Sequence, residues 1–495
     1  MSQDRIPSTD PIVRLPLSLF PSLQPEAYAH VPQLASKQHY DVAIVGCGII
    51  GSVLAASLAN SGRSVIVFDS NLTEPDRSEL LQPGGCLALQ KLGMGACLDN
   101  IDATRCDGYK VFWGSEDVAI AYPEEKVAMQ WSDGEVGKDG RVQQGRSFHH
   151  GRFVQNLRRA AQSTAGVTLI EGTVNSLLKD PEDRIIGITA TPRTTPTSTT
   201  SDPLQFHATL TFISDGAHSK FRRQILPSNI LPITRSNFIG LILEDADLPA
   251  PHHGHVILAR KPSSPTPAST EPSPIGPVLV YQLATHETRM LIDIAGAKVP
   301  SSSNGDLAAF LTTNVTPVLP KSIVPSFEIA IEKSLGPDRE YRLRSMPNQY
   351  LPPYPQGRGP EGVVLIGDSL NMRHPLTGGG MTVAFNDAVL LVGLLGGGKS
   401  FGEMEGKEIG EVVELGDWEL VREKLEEWHW ARKGVATCIN VLAQALYSLF
   451  GADDENLEVL KAGCFGYFKL GGEAVNGPMS LLSAFVLSCP SLSLS

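Results

Sequence analysis

Three clusters of glycine and carboxylate in this chain have the composition of a nucleotide-handling site. The first is Gly46-x-Gly48-x-x-Gly51, within "YDVAIVGCGIIGSVLAASLANSGRSVIVFDS" (40–70). In such a loop the first glycine permits a tight turn and the second lets a pyrophosphate approach the backbone. The third lets a helix pack close to a strand. Ile49 and Ile50 lie between the last two and open the helix. A helix start presents unpaired N–H groups and a positive dipole end to phosphate oxygens. Asp69 ends the second apolar run, where a carboxylate would grip a ribose. The second cluster is Asp215-Gly216 in "SDGAHSKFRR" (214–223), and the third is Gly367-Asp368 in "GDSLNMRHPLTGGGMTVAFNDA" (367–388). Gly378, Gly379 and Gly380 cost backbone entropy and contribute no side-chain packing, so a bulky object must approach the chain there.

The elements that must position these clusters are legible as patterns. Val42, Ile44 and Val45 predict one strand and Val65 to Phe68 another, with a helix between them. Met381, Ala384, Phe385, Ala388, Leu391, Val392 and Leu395 recur at three- and four-residue steps. They predict a helix that starts at the triple glycine and ends at Gly396-Gly397-Gly398. "GRSFHHGRFVQNLRRAAQ" (145–162) predicts a turn into a helix, "GVTLIEGTVNSLLKD" a strand, and 277–294 a hairpin. Segments 191–203 and 260–277 are low in complexity and predict loops. The last hundred residues predict helices, one with an apolar face of Val435, Ile439, Leu442, Leu446, Leu449 and Phe450.

Composition bounds the rest. The 495 residues suffice for two or three domains, and the net charge of -12 without a dominant basic patch excludes a nucleic-acid binder. Seven cysteines without a CxxC pair suggest neither a zinc site nor a disulfide framework. His149-His150 and His252-His253-Gly254-His255 have ligand chemistry, but no metal is expected there. No Ser-His-Asp arrangement is convincing. Residues 1–37 are rich in Pro and Ser, lack an apolar run, and predict a disordered extension.

The glycine fingerprint alone leaves NAD and FAD open. Its combination with Asp215-Gly216 and Gly367-Asp368, in this order, resembles the flavoprotein monooxygenases. Longer phrases narrow the resemblance: "EPDRSELLQPGGCLALQKLG", "GRSFHHGRF", "PHHGHVIL", "LRSMPN", "NMRHPLTGGGMTVAFNDA" and "LGGEAVNGPMSLLS" are similar to the squalene monooxygenase (squalene epoxidase) family, fungal members in particular. The match spans roughly residues 38 to 484. It implies an α/β fold: a Rossmann-like FAD-binding domain of the flavoprotein monooxygenase type, a mostly β substrate domain, and a C-terminal helical membrane-associated region. The expected boundaries are 38–112, 141–225 and 338–396 for the FAD domain, 113–140 and 226–337 for the substrate domain, and 397–495 for the helical region. That last region is shorter than in the family. Asp69-Ser70 stands where the family usually has Glu-Arg, and the segment between Arg77 and Glu79 is also shortened.

The resemblance further implies the site. FAD contacts would include Gly46, Gly48, Ile49, Ile50, Gly51, Asp69, Arg77, Arg158, Val174, Asp368, Pro375, Gly379, Gly380 and Met381, with the isoalloxazine ring as the object beside the triple glycine. Tyr109 and Asp215 are the catalytic candidates, Tyr109 by orienting a neighbouring amide. Tyr109, Tyr281, Phe385, Leu442, Leu446 and Phe450 are candidates for the substrate pocket. The implied reaction is epoxidation of squalene to (S)-2,3-epoxysqualene in ergosterol biosynthesis, through a C4a-hydroperoxide of reduced FAD. O2 would supply the oxygen atom. NADPH would supply electrons through a partner NADPH-haemoprotein reductase, since the chain has one dinucleotide fingerprint. Association with membrane lipid at the endoplasmic reticulum, in microsomes or at lipid droplets is expected. A monooxygenase acting on another isoprenoid or an aromatic, and an impaired FAD- or lipid-binding homologue, stay open on the motifs alone.

Overall fold

The computed structural model describes residues 39–73, 78–123, 144–193, 202–259, 275–296, 298–337, 341–396, 412–451 and 455–484. The expected extension at 1–37, Arg77, Gly397-Gly398 and most of both low-complexity loops lie outside the described residues.

Among the described residues the strands are β1 Tyr40–Val45, β2 Val65–Asp69, β3 Ser78–Leu81, β4 Thr104–Cys106, β5 Gly108–Trp113, β6 Glu116–Ala121, β7 Gly145–His149 and β8 Val167–Lys179, then β9 Ile185–Pro192, β10 Leu204–Ile213, β11 Ile233–Glu244, β12 Gly254–Leu258, β13 Val278–Gln282, β14 Glu287–Ala295, β15 Arg344–Tyr350 and β16 Val363–Leu365. The principal helices are α1 Ile49–Asn60, α2 Pro83–Lys91, α3 His150–Ser163, α4 Asp306–Val315, α5 Val324–Ser334, α6 Gly380–Gly396, α7 Trp418–Ala431, α8 Lys433–Phe450, α9 Glu455–Lys469 and α10 Glu473–Leu482.

A parallel sheet runs β16-β10-β1-β2-β8. β1 and β2 are almost wholly apolar because helices cover one face and a β-meander the other. The meander uses the same long strands. β8 pairs with β2 through Glu171 and with β9 from Gly172 onward, while β10 pairs with β9 before Ala208 and with β1 from there on. Helices α1, α3 and α6 share one buried core with this sheet.

A second sheet has the order β15-β11-β14-β13-β12-β5-β6, antiparallel except for β12 with β5. Period-2 alternation gives it two apolar faces. Ile239, Val278, Val280 and Ile292 face α4 and α5, whereas Phe238, Val256, Leu279 and Tyr281 join a cluster with Leu376 and the C-terminal helices. Sheet pairing revises the expected domain boundaries. β5 lies almost wholly before residue 113 and β15 follows residue 338, yet both are strands of this sheet. The expected turn at 145–149 is strand β7, held between β3 and β4 in a three-stranded sheet.

Among the described residues no helix is long and apolar enough to cross a membrane. The C-terminal helices nonetheless expose Val441, Val459, Leu460, Tyr467 and Leu470.

Candidate active site

The glycine loop joins β1 to α1, and its three glycines have different neighbours. At Gly46 (φ +96°) a Cβ would lie 2.6 Å from the Ser214 carbonyl oxygen, and at Gly51 it would lie 1.8 Å from that of Gly46. Those two are glycine because the protein itself crowds them. At Gly48 a Cβ would meet nothing within 4 Å. The α1 N-terminus there has no side-chain cap, so its N–H groups face space left by the protein. That is the cradle a diphosphate needs.

Asp69 braces the loop as well as facing it. Its carboxylate accepts from the Cys47 N–H at 2.8 Å and the Asn71 N–H at 3.0 Å, and lies 3.3 Å from Arg158. Arg158 is buried and also donates to the carbonyls of Cys47 and Leu72. Burial pushes the Cys47 thiol up to about 11, which keeps it neutral. Val174 is buried on β8, and its carbonyl accepts from Lys220. Ile49 is half-buried; Ile50 is buried against Gly367.

Asp215 and Asp368 follow adjacent strands of the parallel sheet. Asp215 accepts from the Lys220 N–H, while its other oxygen is buried without a protein partner. Asp368 sits on a tight turn after Gly367 (φ +65°). Asp368 is exposed, yet the protein around it takes away enough hydration to raise its pKa, an effect that Arg373 and Arg222 oppose. Arg222 joins the two motifs, donating to the carbonyls of Gly216, Asp368 and Ser369.

The triple glycine is held from behind. Arg373, buried and lowered by desolvation to about 10, donates to the carbonyls of Gly379 and Gly380 at 3.3 and 3.4 Å. Its remaining donors reach Asn440 Oδ1 and the Asn371 carbonyl. A trans peptide points its N–H opposite to its C=O, so the N–H groups of Gly380 and Met381 point away from Arg373. Gly379 packs against Ile439, and Pro375 begins the short 3₁₀ turn to Thr377. Helix α2 brings its own N-terminus to the same place: a Cβ on Gly85 would meet Thr382 Oγ1 at 2.7 Å.

Gln82, at that N-terminus, is the amide beside Tyr109. It donates to Tyr109 Oη at 2.5 Å and to the Thr377 carbonyl at 2.6 Å, and accepts from Tyr122 Oη at 2.5 Å. Burial raises the phenols of Tyr109, Tyr122 and Tyr281, so all three stay protonated. Tyr109 and Tyr281 belong to the apolar cluster between the second sheet and the C-terminal helices, with Trp113, Leu376, Phe465 and Met479; Leu446 and Phe450 pack on it. Phe385 does not reach that cluster. It is fully buried in the α/β core, edge-on to Phe153, because its position on α6 faces the parallel sheet. Leu442 is half-buried on α8 outside the cluster.

Sequence reasoning missed Gln82, Arg222 and Arg373. Each acts on backbone carbonyls that only the fold brings within reach. The one available signal was an amide directly before Pro-Gly-Gly, at a helix N-cap. No group of three or more metal-ligating side chains occurs among the described residues, and His149 instead lies 3.3 Å from Glu287.

Comparison with known proteins bears on this geometry. The family model for squalene epoxidase matches residues 207–494. The chain is 39% identical over 479 residues to squalene epoxidase ERG1 of Candida albicans, covering 91% of this chain and 88% of the relative. It is 42% identical over 454 residues to squalene epoxidase ERG1 of Gibberella zeae, covering 90% and 83%. Among solved structures, Klebsiella pneumoniae HpxO complexed with FAD and uric acid superposes with a TM-score of 0.60 at 15% identity, covering 89% of this chain and 96% of that one. Pseudomonas aeruginosa PqsL in complex with 2-aminobenzoylacetate gives 0.60 at 17% identity, covering 86% and 100%. These two likenesses establish the shared fold.

Proposed function

The chain belongs to the squalene epoxidase family, and from that premise we propose that it epoxidises squalene to (S)-2,3-epoxysqualene, using FAD, O2 and electrons drawn from NADPH through a separate haemoprotein reductase. The observation that carries the reading is the convergence of a glycine turn at Gly48 that no protein atom crowds, an exposed Asp368 and an Asp215 oxygen that no protein group satisfies. Ser214 and Asp215 abut Gly46 and Ile50 abuts Gly367, so the three features lie together at the carboxyl ends of β1, β10 and β16, and FAD has the chemistry to satisfy them.

In this reading the N–H groups after Gly48 hold the pyrophosphate, Asp69 the adenosine ribose and Asp368 the ribityl chain. Val174 and Arg158 border the adenosine half, and Pro375 and Gly379 to Met381 border the ring. Bound FAD supplies the electron storage and oxygen activation that no side chain here possesses. The chain's own residues position and enclose. Arg373 turns the Gly380 and Met381 N–H groups outward, and the α6 dipole favours negative charge in front of them. Gln82, fixed by Tyr109 and Tyr122, spans the border between the glycine turn and the apolar wall. That wall suits a hydrocarbon substrate and excludes water from the reacting centre. The exposed apolar side chains of α8 and α9 support association with a lipid surface, and the endoplasmic reticulum membrane is the proposed location.

The test is detergent-purified protein with FAD, NADPH, a microsomal reductase and squalene, with mass spectrometry for 2,3-epoxysqualene. Product that is lost, together with bound flavin, in Asp368→Ala supports the reading. Absence of product from unsubstituted protein that demonstrably holds FAD refutes it.

A further inference from the structure

A second polar assembly lies outside the flavin and substrate contacts. Asp293 on β14, Ser236 on β11 and Asn348 on β15 meet near the β15 edge of the second sheet, each no more than 3% exposed. Asn348 Nδ2 donates to Ser236 Oγ and to Asp293 Oδ1, both at 3.0 Å, and Ser236 Oγ donates to Asp293 Oδ1 at 2.5 Å. His374 joins them from the other domain, with Nε2 at 3.1 Å from Ser236 Oγ and 3.5 Å from Asp293. Its Nδ1 accepts the Leu376 N–H at 3.2 Å, which leaves Nε2 as the nitrogen that donates toward Ser236. The ring stacks on Tyr447 of α8, with centroids 4.0 Å apart. Burying a carboxylate and an imidazole costs stability unless they are fully bonded. A methionine or leucine would fill this space without that cost, so packing alone does not account for the assembly.

We propose that Asp293, Ser236 and His374 form a positioning relay that locks the Pro375–Thr377 turn to the substrate sheet. The relay sets the register between Gln82 and the triple glycine. Its path is continuous: Asp293 accepts from Ser236, Ser236 from His374, and His374 from the Leu376 N–H, while the carbonyl of Thr377, the following residue, accepts from Gln82. One end lies in the substrate domain and the other beside Tyr109. The inference rests on the FAD-dependent reading of the same site, because the turn it holds is the one assigned to the ring.

Two substitutions separate this role from plain packing. Ser236→Ala removes the middle member. His374→Asn keeps an acceptor for the Leu376 N–H, as asparagine does at helix starts, but is too short to reach Ser236. FAD titration by flavin fluorescence, the visible flavin spectrum, and hydrogen peroxide released per NADPH are measured on the full chain with its reductase. Each variant is expected to weaken FAD binding about fivefold, the scale of one lost hydrogen bond. Each should also displace the flavin absorption band in the same direction and raise the peroxide share. The double variant should go no further than either single one, because both cut one chain. If Ser236→Ala does not fold, His374→Asn carries the test. Wild-type spectra and FAD affinity in the folded variants, with only a lower melting temperature, would overturn the relay. So would additive losses in the double variant. The spectrum and affinity are read without squalene, so a failure of the epoxidase reading would show separately, as unsubstituted protein that binds FAD and yields no epoxide.

Discussion

Replacing each fingerprint glycine by alanine should split stability from cofactor binding. At Gly51 the added Cβ would sit 1.8 Å from the Gly46 carbonyl oxygen, so α1 must move bodily away from the loop. Such overpacking typically costs about 1–3 kcal/mol, and a rigid backbone neighbour places this case at the upper end. Gly48→Ala meets nothing within 4 Å, and its backbone (φ -77°) is one that alanine adopts. Apo-protein stability should then hold or rise by about 0.4–1 kcal/mol through the unfolded chain. The same methyl group stands where the diphosphate must approach. Loss of one hydrogen bond to a charged group, about 1.5–3 kcal/mol, corresponds to FAD binding weaker by about 10- to 150-fold. The assay is thermal unfolding of the apo-protein beside a fluorescence titration with FAD. Gly51→Ala should unfold earlier in the absence of FAD. Gly48→Ala should unfold like the unsubstituted protein yet bind FAD poorly. A Gly48→Ala protein with unchanged FAD affinity would refute the placement of the diphosphate.

His255 is buried, stacks on Phe112, accepts from the Ala250 N–H and is held down to about 4 by desolvation. Its folded-state pKa lies below the unfolded value near 6.5, so the unfolded chain takes up the proton first. Stability contributed by neutral His255 is therefore complete above about pH 6.5 and lost as pH falls toward 4, by up to about 3 kcal/mol; urea titrations across that window should show the loss, and His255→Gln should remove it. Asp387 and Arg432 form a bidentate buried pair, with Trp428 donating to the Asp387 carbonyl. Asp387→Asn leaves a buried guanidinium uncompensated and should cost about 3–5 kcal/mol by denaturant unfolding, whereas a loss under 1 kcal/mol would contradict the assignment. Tyr109→Phe deletes one of two acceptors for the Gln82 amide. It should lower epoxide turnover about tenfold while FAD titration stays unchanged, and reduced FAD binding would argue instead for a direct flavin contact.

The sequence exposed features that depend on local spacing. The glycine fingerprint, the apolar strands around it, the helix from Gly380 and the hairpin at 278–295 are all short-range patterns. The carboxylates at 69, 215 and 368 were legible because each follows an apolar strand. What stayed hidden depends on chain reversals over long distances. β5 looks like a continuation of the first domain, but it pairs with β12 nearly 150 residues later. Phe385 has the right residue type for a pocket, yet the rotation of α6 turns it into the α/β core. Arg222, Arg373 and Gln82 grip backbone carbonyls, which carry no sequence signature. His374 appeared only as part of an Arg-His-Pro phrase; its partners Ser236 and Asp293 come from two strands that the sequence separates widely.

In the proposed reaction this chain places one atom of molecular oxygen on squalene at a flavin held by Asp368 and the glycine loops. The most direct measurement is a reaction under 18O2 with FAD, NADPH, a microsomal reductase and squalene, read by mass spectrometry of the epoxide. The expected result is 2,3-epoxysqualene carrying one 18O atom, none from labelled water, and no product when FAD is omitted. Unlabelled epoxide, or labelled epoxide at full yield without FAD, would contradict it.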